Sequence, residues 1–301
     1  MRLPASLRLL RPKQWIKNLL VFAALIFAQA YDDPGNVMLA VWAFVAFCLI
    51  SSAVYSINDV LDADRDKLHP TKRARPIASG ELSPGKGIAI SVICLTLGGA
   101  VAIFVGPSFS VVLFSYLALQ FLYNLKLKSM PVLDVFTVSA GFVFRAVAGA
   151  FAIGVPISGW LLFCTGTLAL LLASSKRRHE FHTQGEARAD TRAALSEYTG
   201  PFLDTMVLFA ASLSTISYGI YAIESPKAIE HPLLLLTIPI VAYGVLRYLF
   251  LVFVKSEGGE PETIVLSDAH MISVLILFIA TVFFAFSGVD IPILTVPTGS
   301  M

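Results

Sequence analysis

The sequence predicts an all-α integral membrane protein of nine transmembrane helices, with its N-terminus cytoplasmic and its C-terminus outside. Three observations carry this. Of the 301 residues, 56% are hydrophobic and only 14% are charged, whereas about a quarter are charged in a soluble domain. So apolar a chain lacks the polar surface to cover a water-soluble globule. The apolar residues also fall into runs of bilayer length, and the cations fall almost entirely on one side of those runs.

The nine apolar segments run over roughly 16–30, 37–57, 87–105, 108–125, 131–153, 157–175, 200–222, 232–254 and 270–288. A helix needs about 20 residues to cross the hydrocarbon, with a range of about 17–25. The first segment is short and borrows Trp15 and Tyr31 as interface anchors. A basic stretch before it and Ala28-Gln29-Ala30 after it imitate a secretory signal peptide. The basic region is long and carries a motif used below, so the segment is read as an uncleaved first span. Gly106-Pro107-Ser108 and Gly154-Val155-Pro156 leave room only for tight antiparallel hairpins. No long soluble stretch intervenes, so residues 1–301 are expected to form one transmembrane domain.

Charge placement tests the count. With the N-terminus inside, the inside segments hold five, six, two, five and one Lys or Arg. These run from Arg2 to Lys17, Arg65 to Lys86, Lys126 to Lys128, Lys176 to Arg192, and Lys255. The outside loops hold only Lys227, while Arg145 and Arg247 fall within spans, which places all 22 cations. A miscounted helix would scramble this partition. The chain is therefore expected to be a multi-pass protein of the plasma membrane with its polar loops cytoplasmic. A net charge of +2 singles out no polyanion, and no nucleic acid is expected as a partner. Cys48, Cys94 and Cys164 all lie in apolar runs, which argues against a disulfide framework or a zinc site and for packing roles.

The chemistry concentrates at the end of the second segment. Asn58, Asp62 and Asp66 are spaced four apart and Asp59 lies three before Asp62, so on a helix they share one face. Hard oxygen ligands one turn apart suit Mg²⁺, which usually bridges carboxylates to substrate phosphates. The competing reading is a solvated acidic helix end, although like charges at this spacing repel. The loop continues His69-Pro70-Thr71-Lys72-Arg73-Ala74-Arg75-Pro76. Lys72, Arg73 and Arg75 either obey the one-sided charge rule or clamp phosphate oxygens beside the metal.

A second polar cluster, Ser174-Ser175-Lys176-Arg177-Arg178-His179-Glu180, follows the sixth segment. Lys176 and Glu180 are one turn apart, the spacing of an i,i+4 ion pair. His179 and His182 lack further zinc ligands nearby. Within the spans, Asp134 and Arg145 lie three turns apart on nearly one face, and Arg247 lies one turn after Tyr243. Intramembrane charges usually face a polar cavity; a structural Asp–Arg pair between adjacent helices is the competing account of Asp134. Tyr123 with Lys126 and Lys128, and Glu260-Pro261-Glu262 with Asp268, form further clusters on the inside face.

Asn58-Asp59-x-x-Asp62-x-x-x-Asp66 resembles the NDxxDxxxD motif of the UbiA superfamily of intramembrane prenyltransferases, and nine helices resemble its bundle. Typical members carry a second motif, DxxxD, after the sixth helix. Here Lys176 stands in the place of its first acid and Glu180 in the place of its second. That departure is similar to one branch, the decaprenyl-phosphate phosphoribosyltransferases. So are Arg11-Pro12-Lys13-Gln14-Trp15-Ile16-Lys17-Asn18 and His69-Pro70-Thr71-Lys72-x-x-Arg75-Pro76-Ile77-Ala78-x-Gly80. The likeness extends through Asp134, Arg145 and the Gly-Glu-Pro-Glu loop at 259–262.

The resemblance implies a Mg²⁺-dependent transferase that moves ribose 5-phosphate from phosphoribosyl pyrophosphate (PRPP) to a polyprenyl phosphate, releasing diphosphate on the way to a cell-wall arabinose donor. It implies metal ligation by Asn58, Asp59, Asp62 and Asp66. Substrate contacts are then expected from Lys17, Asn18, Lys72, Arg73, Arg75, Tyr123, Lys126, Lys128, Asp134, Arg145, Lys176, Arg177, Glu180 and Arg247. A homo-oligomer stays open. The competing activities are prenyl transfer to an aromatic or quinone precursor and, outside enzymes, transport. Transport is expected to show related halves and broken helices, which the sequence does not display.

Overall fold

The computed structural model describes residues 4–68, 72–184, 193–259, 264–265 and 267–287. Arg2, His69, Pro70, Thr71, Arg192, Glu260, Pro261 and Glu262, named above, lie outside these described residues. Among the described residues every regular element is helical. Among the described residues eight long helical segments are apolar enough to cross a bilayer, the seventh counted from Pro232. They are α1 (Pro34–Leu61), α2 (Pro84–Val105), α3 (Pro107–Leu125), α4 (Leu133–Ala152), α5 (Gly159–Thr183), α6 (Gly200–Glu224), α7 (Thr237–Phe253) and α8 (Ala269–Phe286). A 3₁₀ turn over Pro232–Leu236 leads into α7. These match the second to ninth expected segments.

Local sequence sets the helix starts. Proline opens α1, α2 and α3, where its missing N–H would be unsatisfied anyway. Asp33, Ser83, Thr199 and Asp268 cap α1, α2, α6 and α8 by accepting a first-turn N–H. The α2–α3 hairpin turns on Gly106, whose φ of 144° is open to glycine alone.

The first expected span takes a different form. Pro12–Phe22 is a 3₁₀ helix of 11 residues, continued by an α-helix over Ala23–Phe27. It lies along α1. Trp15 donates to Ser52 at 3.0 Å, Asn18 donates to Cys48 and Ser51 at 3.3 Å, and the Phe22 ring meets Phe44 at 5.5 Å.

Contacts divide the chain into two compact units, Met1–Leu127 with Gly141–Ile157, and Lys128–Ala140 with Ser158–Met301. In the first, α1 packs mainly on α2, and Ser91 donates across to the Ala53 carbonyl at 3.0 Å. Gly149 of α4 lies so close to the Pro12–Phe22 segment that a Cβ would overlap the Val21 carbonyl. In the second, α5 packs on α6 with a Thr167–Ser217 hydroxyl bond at 3.0 Å, and α7 packs on α8. Small polar residues at such contacts supply the interhelical bonds that lipid cannot. Cys48, Cys94 and Cys164 are free thiols, as expected of packing residues.

Candidate functional site

In the first unit, α1 carries Asn58 and Asp59 on its last turn and stops at Asp62. A short helix, Ala63–Leu68, follows at once. The stop barely disturbs the spacing: Asp62 N–H bonds the Asn58 carbonyl at 2.9 Å, and Asp66 N–H bonds the Asp62 carbonyl at 2.8 Å. The acids nevertheless meet different surroundings. Asp59 and Asp66 are 2% and 4% exposed, whereas Asp62 is 34% exposed and has Arg65 4.0 Å away. Asn58 is half-buried.

The loop brings Arg75 back onto the two buried acids. Its Nη1 lies 3.2 Å from Asp59 Oδ1 and 2.5 Å from Asp66 Oδ2. Arg11 donates to the same Asp59 oxygen while its guanidinium lies 5.0 Å from the Tyr55 ring centroid. Arg11 adopts a left-handed φ of 52° to do so, a backbone state that non-glycine residues seldom hold without function. Arg11 is a contact of the acidic face that sequence reasoning did not single out. It opens the Arg11–Asn18 motif, and that was its only signal. Lys72 is half-buried and Arg73 exposed. Exposed Asp64 is held below its usual carboxylate range by the hydrogen bond from Lys67.

Deeper in this unit Arg145 is buried without a carboxylate partner among the described residues. It donates to Asn18 Oδ1 at 2.7 Å, the Gly141 carbonyl at 2.6 Å and Tyr116 OH at 2.9 Å. Rings of Tyr116, Phe142 and Phe47 surround its guanidinium at 4.8, 5.6 and 5.8 Å. Neutral acceptors and ring faces stabilise the cation. Lys17 donates to Gln14 at 2.5 Å. Tyr123 is half-buried and Lys126 exposed.

In the second unit, Asp134 opens α4 and is 0% exposed. Its Oδ2 lies 2.7 Å from Arg177 Nε of α5, so the Asp–Arg pair between helices exists, with Arg177 and not Arg145 as the partner. Arg177 also pairs with Glu180. Tyr198 donates to Asp134 Oδ1 at 2.8 Å and accepts the Val132 N–H at 2.6 Å. Val132 holds a φ of 68°, strained for a β-branched residue. Burial pushes the Tyr198 phenol up, so it stays a donor. Lys128 and Lys176 are half-buried. Arg178 bonds Asp204 at 2.5 Å. His179 bonds the Ser256 carbonyl at 3.0 Å. Arg247 bonds Asp268 through two nitrogens, at 3.1 and 2.7 Å.

No three His, Cys, Asp or Glu among the described residues lie close enough to share one ion. The expected ligand face is therefore present in spacing but not gathered into a cage. Two buried carboxylates converging on one cation do fit Mg²⁺, which commonly takes one or two carboxylates and completes its shell with water and phosphate.

The sequence matches the UbiA prenyltransferase family over residues 19–260. It is 35% identical over 268 residues to the decaprenyl-phosphate phosphoribosyltransferase of Corynebacterium glutamicum, covering 87% of this chain and 80% of that protein. It is 34% identical over 280 residues to the enzyme of that name from Mycobacterium tuberculosis, covering 91% of each. The fold is similar to a UbiA homolog from Archaeoglobus fulgidus solved with GPP and Mg²⁺, with TM-score 0.71 and 19% identity over 94% of this chain and 98% of that one.

Proposed function

This chain belongs to the UbiA prenyltransferase family, and we propose that it transfers 5-phosphoribose from PRPP to a polyprenyl phosphate at the cytoplasmic face of the plasma membrane. The observation that carries this reading is the 34% identity, over 91% of each chain, to a decaprenyl-phosphate phosphoribosyltransferase. In the reaction the bond from C1 of ribose to the diphosphate breaks, and diphosphate leaves with the electron pair. An oxygen of the polyprenyl phosphate forms the new bond at C1. The acceptor is already an anion, so no strong general base is needed. Bringing two polyanions together is the difficulty, and fixed cations address it.

Residue roles follow from chemistry. Asp59 and Asp66, with Asp62 and Asn58, would hold Mg²⁺, which neutralises the charge developing on the leaving diphosphate. Lys72, Arg73 and Arg75 of the first unit bind phosphate oxygens, and Lys176 of the second does the same. Buried Arg177 is already engaged by two carboxylates, so it positions Asp134 and Glu180. Asn18 and Arg145 hold the first segment in place. Lys17, Tyr123, Lys126 and Lys128 are kept as substrate contacts, whereas Arg247, inside α7, is held by Asp268.

We also assign the Pro12–Phe22 segment as a ninth crossing, which sets the termini on opposite sides. Its support is register: Arg11 pairs with Asp59 and Phe22 with Phe44, so the segment runs antiparallel along α1. Eleven residues at about 2.0 Å each in a 3₁₀ helix cover about 22 Å, the distance that about 15 residues of α1 cover at 1.5 Å each.

A donor panel tests the function. Purified protein with polyprenyl phosphate and Mg²⁺ is given labelled PRPP or labelled prenyl diphosphate. Label passing to lipid from PRPP alone is expected. Transfer from prenyl diphosphate to an aromatic acceptor, without PRPP use, overturns the assignment.

A further inference from the structure

Arg75 holds both buried acids assigned above to the metal. Its Nη1 bonds Asp59 Oδ1 and Asp66 Oδ2, at 3.2 and 2.5 Å. Arg11 takes a further share of the same Asp59 oxygen. Both acids are almost fully buried, and two buried like charges require a counter-cation. An ion bonded to both carboxylates at about 2.1 Å would bring their oxygens within about 4.2 Å. The Arg75 nitrogen already bonds one oxygen of each acid, so arginine and metal compete for the same lone pairs.

We propose that Arg75, assisted by Arg11, is a resident counter-ion of the metal-free site, displaced by the incoming Mg²⁺–diphosphate and passed from carboxylate to phosphate in the exchange. The inference rests on the metal assignment made above. It adds a reciprocal consequence. The same arginine opposes metal binding when no diphosphate is present and supports it when diphosphate is. Guanidinium suits both states, because its planar donors match carboxylate and phosphate alike. Metal is thereby favoured only together with the donor's leaving group.

The readout is binding of Mn²⁺, a paramagnetic stand-in for Mg²⁺, followed by electron paramagnetic resonance with no turnover. Wild type, Arg75→Gln and Lys67→Gln are titrated with Mn²⁺ alone and with Mn²⁺ plus inorganic diphosphate. Lys67 is the control for loss of a charge nearby, since it is exposed and pairs with Asp64, away from the two buried acids. With Mn²⁺ alone, Arg75→Gln is expected to bind about tenfold more tightly than wild type, one charge-assisted bond's worth of competition. With diphosphate the order reverses, and Arg75→Gln binds about tenfold more weakly. Lys67→Gln stays within about twofold in both titrations.

Unchanged or weaker Mn²⁺ binding by Arg75→Gln without diphosphate overturns the proposal and leaves the metal assignment standing. Tighter binding in both titrations reduces Arg75 to a bystander charge and overturns it as well. If no variant binds Mn²⁺ under either condition, the metal assignment fails and this inference with it. Should Arg75→Gln not fold, Arg11→Gln replaces it. Arg11 touches Asp59 alone of the two acids among the described contacts of these residues, and the same crossing, smaller at about threefold, is expected.

Discussion

A carboxylate almost wholly removed from water needs a fixed partner, whereas a half-exposed one does not. Asp62 and Asp66 therefore answer differently to substitution. Asp62→Ala should leave the thermal midpoint nearly unchanged, as surface substitutions shift stability by only about 0.5 kcal/mol, and should abolish transfer. Asp66→Asn should lose both stability and about 10²–10³ of the rate, since Arg75 loses its closer partner. Melting curves and a turnover assay on both variants check this, and full turnover by Asp62→Ala removes the metal assignment. Asp268 gives a pH signature. The hydrogen bond from Arg247 holds its carboxyl down at about 2, from 3.8. A depressed acid stabilises above its unfolded pKa and loses that contribution as pH falls through the folded one. The gap in thermal midpoint between wild type and Arg247→Met should hold steady at neutral pH and shrink from about pH 4 towards 2. Shrinkage already complete at about pH 5 refutes the pairing. The Asp59–Asp66 spacing was legible in sequence, because helical periodicity depends only on chain position. That Arg75 and Arg11 would take those acids was not, since both partners arrive from other segments.

Among the elements, the Pro12–Phe22 segment separates what periodicity can show from what it cannot. Its apolar run and its motif were plain and read as a short first span, and its helix type was not legible. The structure stretches it into a 3₁₀ helix, and the reason lies outside the segment. Asn18 supplies the side-chain carbonyl that takes Arg145 Nε, and Gly149 lets α4 reach the Val21 backbone. Gly149→Ala should thus destabilise the protein by roughly 1–3 kcal/mol, the range for overpacking, visible as a lower thermal midpoint in detergent. Cleavage after Ala30 would leave Arg145 buried without Asn18. The membrane-extracted chain should accordingly carry residues 12–27, and an intact mass beginning at residue 31 would show that the signal-like pattern was real. Most of the eight longer helices were readable to within a few residues from their apolar runs, whereas α5 continues through its polar end to Thr183 and α7 begins only after the 3₁₀ turn at Pro232–Leu236.

For the whole molecule the open choice is which donor it serves, and Lys176 weighs most there. In the two-aspartate pattern of the family its position holds an acid, and here a cation stands there, one turn before Glu180. As half of an i,i+4 helix pair it would contribute only about 0.3–0.5 kcal/mol. As a phosphate ligand it makes charge-assisted bonds worth roughly 1.5–3 kcal/mol each. Lys176→Ala should then lower kcat/KM for PRPP by about one to two powers of ten, at about 1.4 kcal/mol per factor of ten. Lys176→Asp should be worse, because it sets a carboxylate against an anionic donor. An enzyme that uses prenyl diphosphate through a second metal responds in the opposite sense, since the same change recreates the missing acid. Both variants are assayed with PRPP and with a prenyl diphosphate at matched Mg²⁺. Near wild-type PRPP turnover in Lys176→Ala, or prenyl transfer gained by Lys176→Asp, assigns the protein to prenyl chemistry. Glu180 sharpens the comparison, because it is already paired with Arg177. Losing Lys176 should leave that buried pair and the fold intact, so the loss is read in kinetics and not in the melting curve.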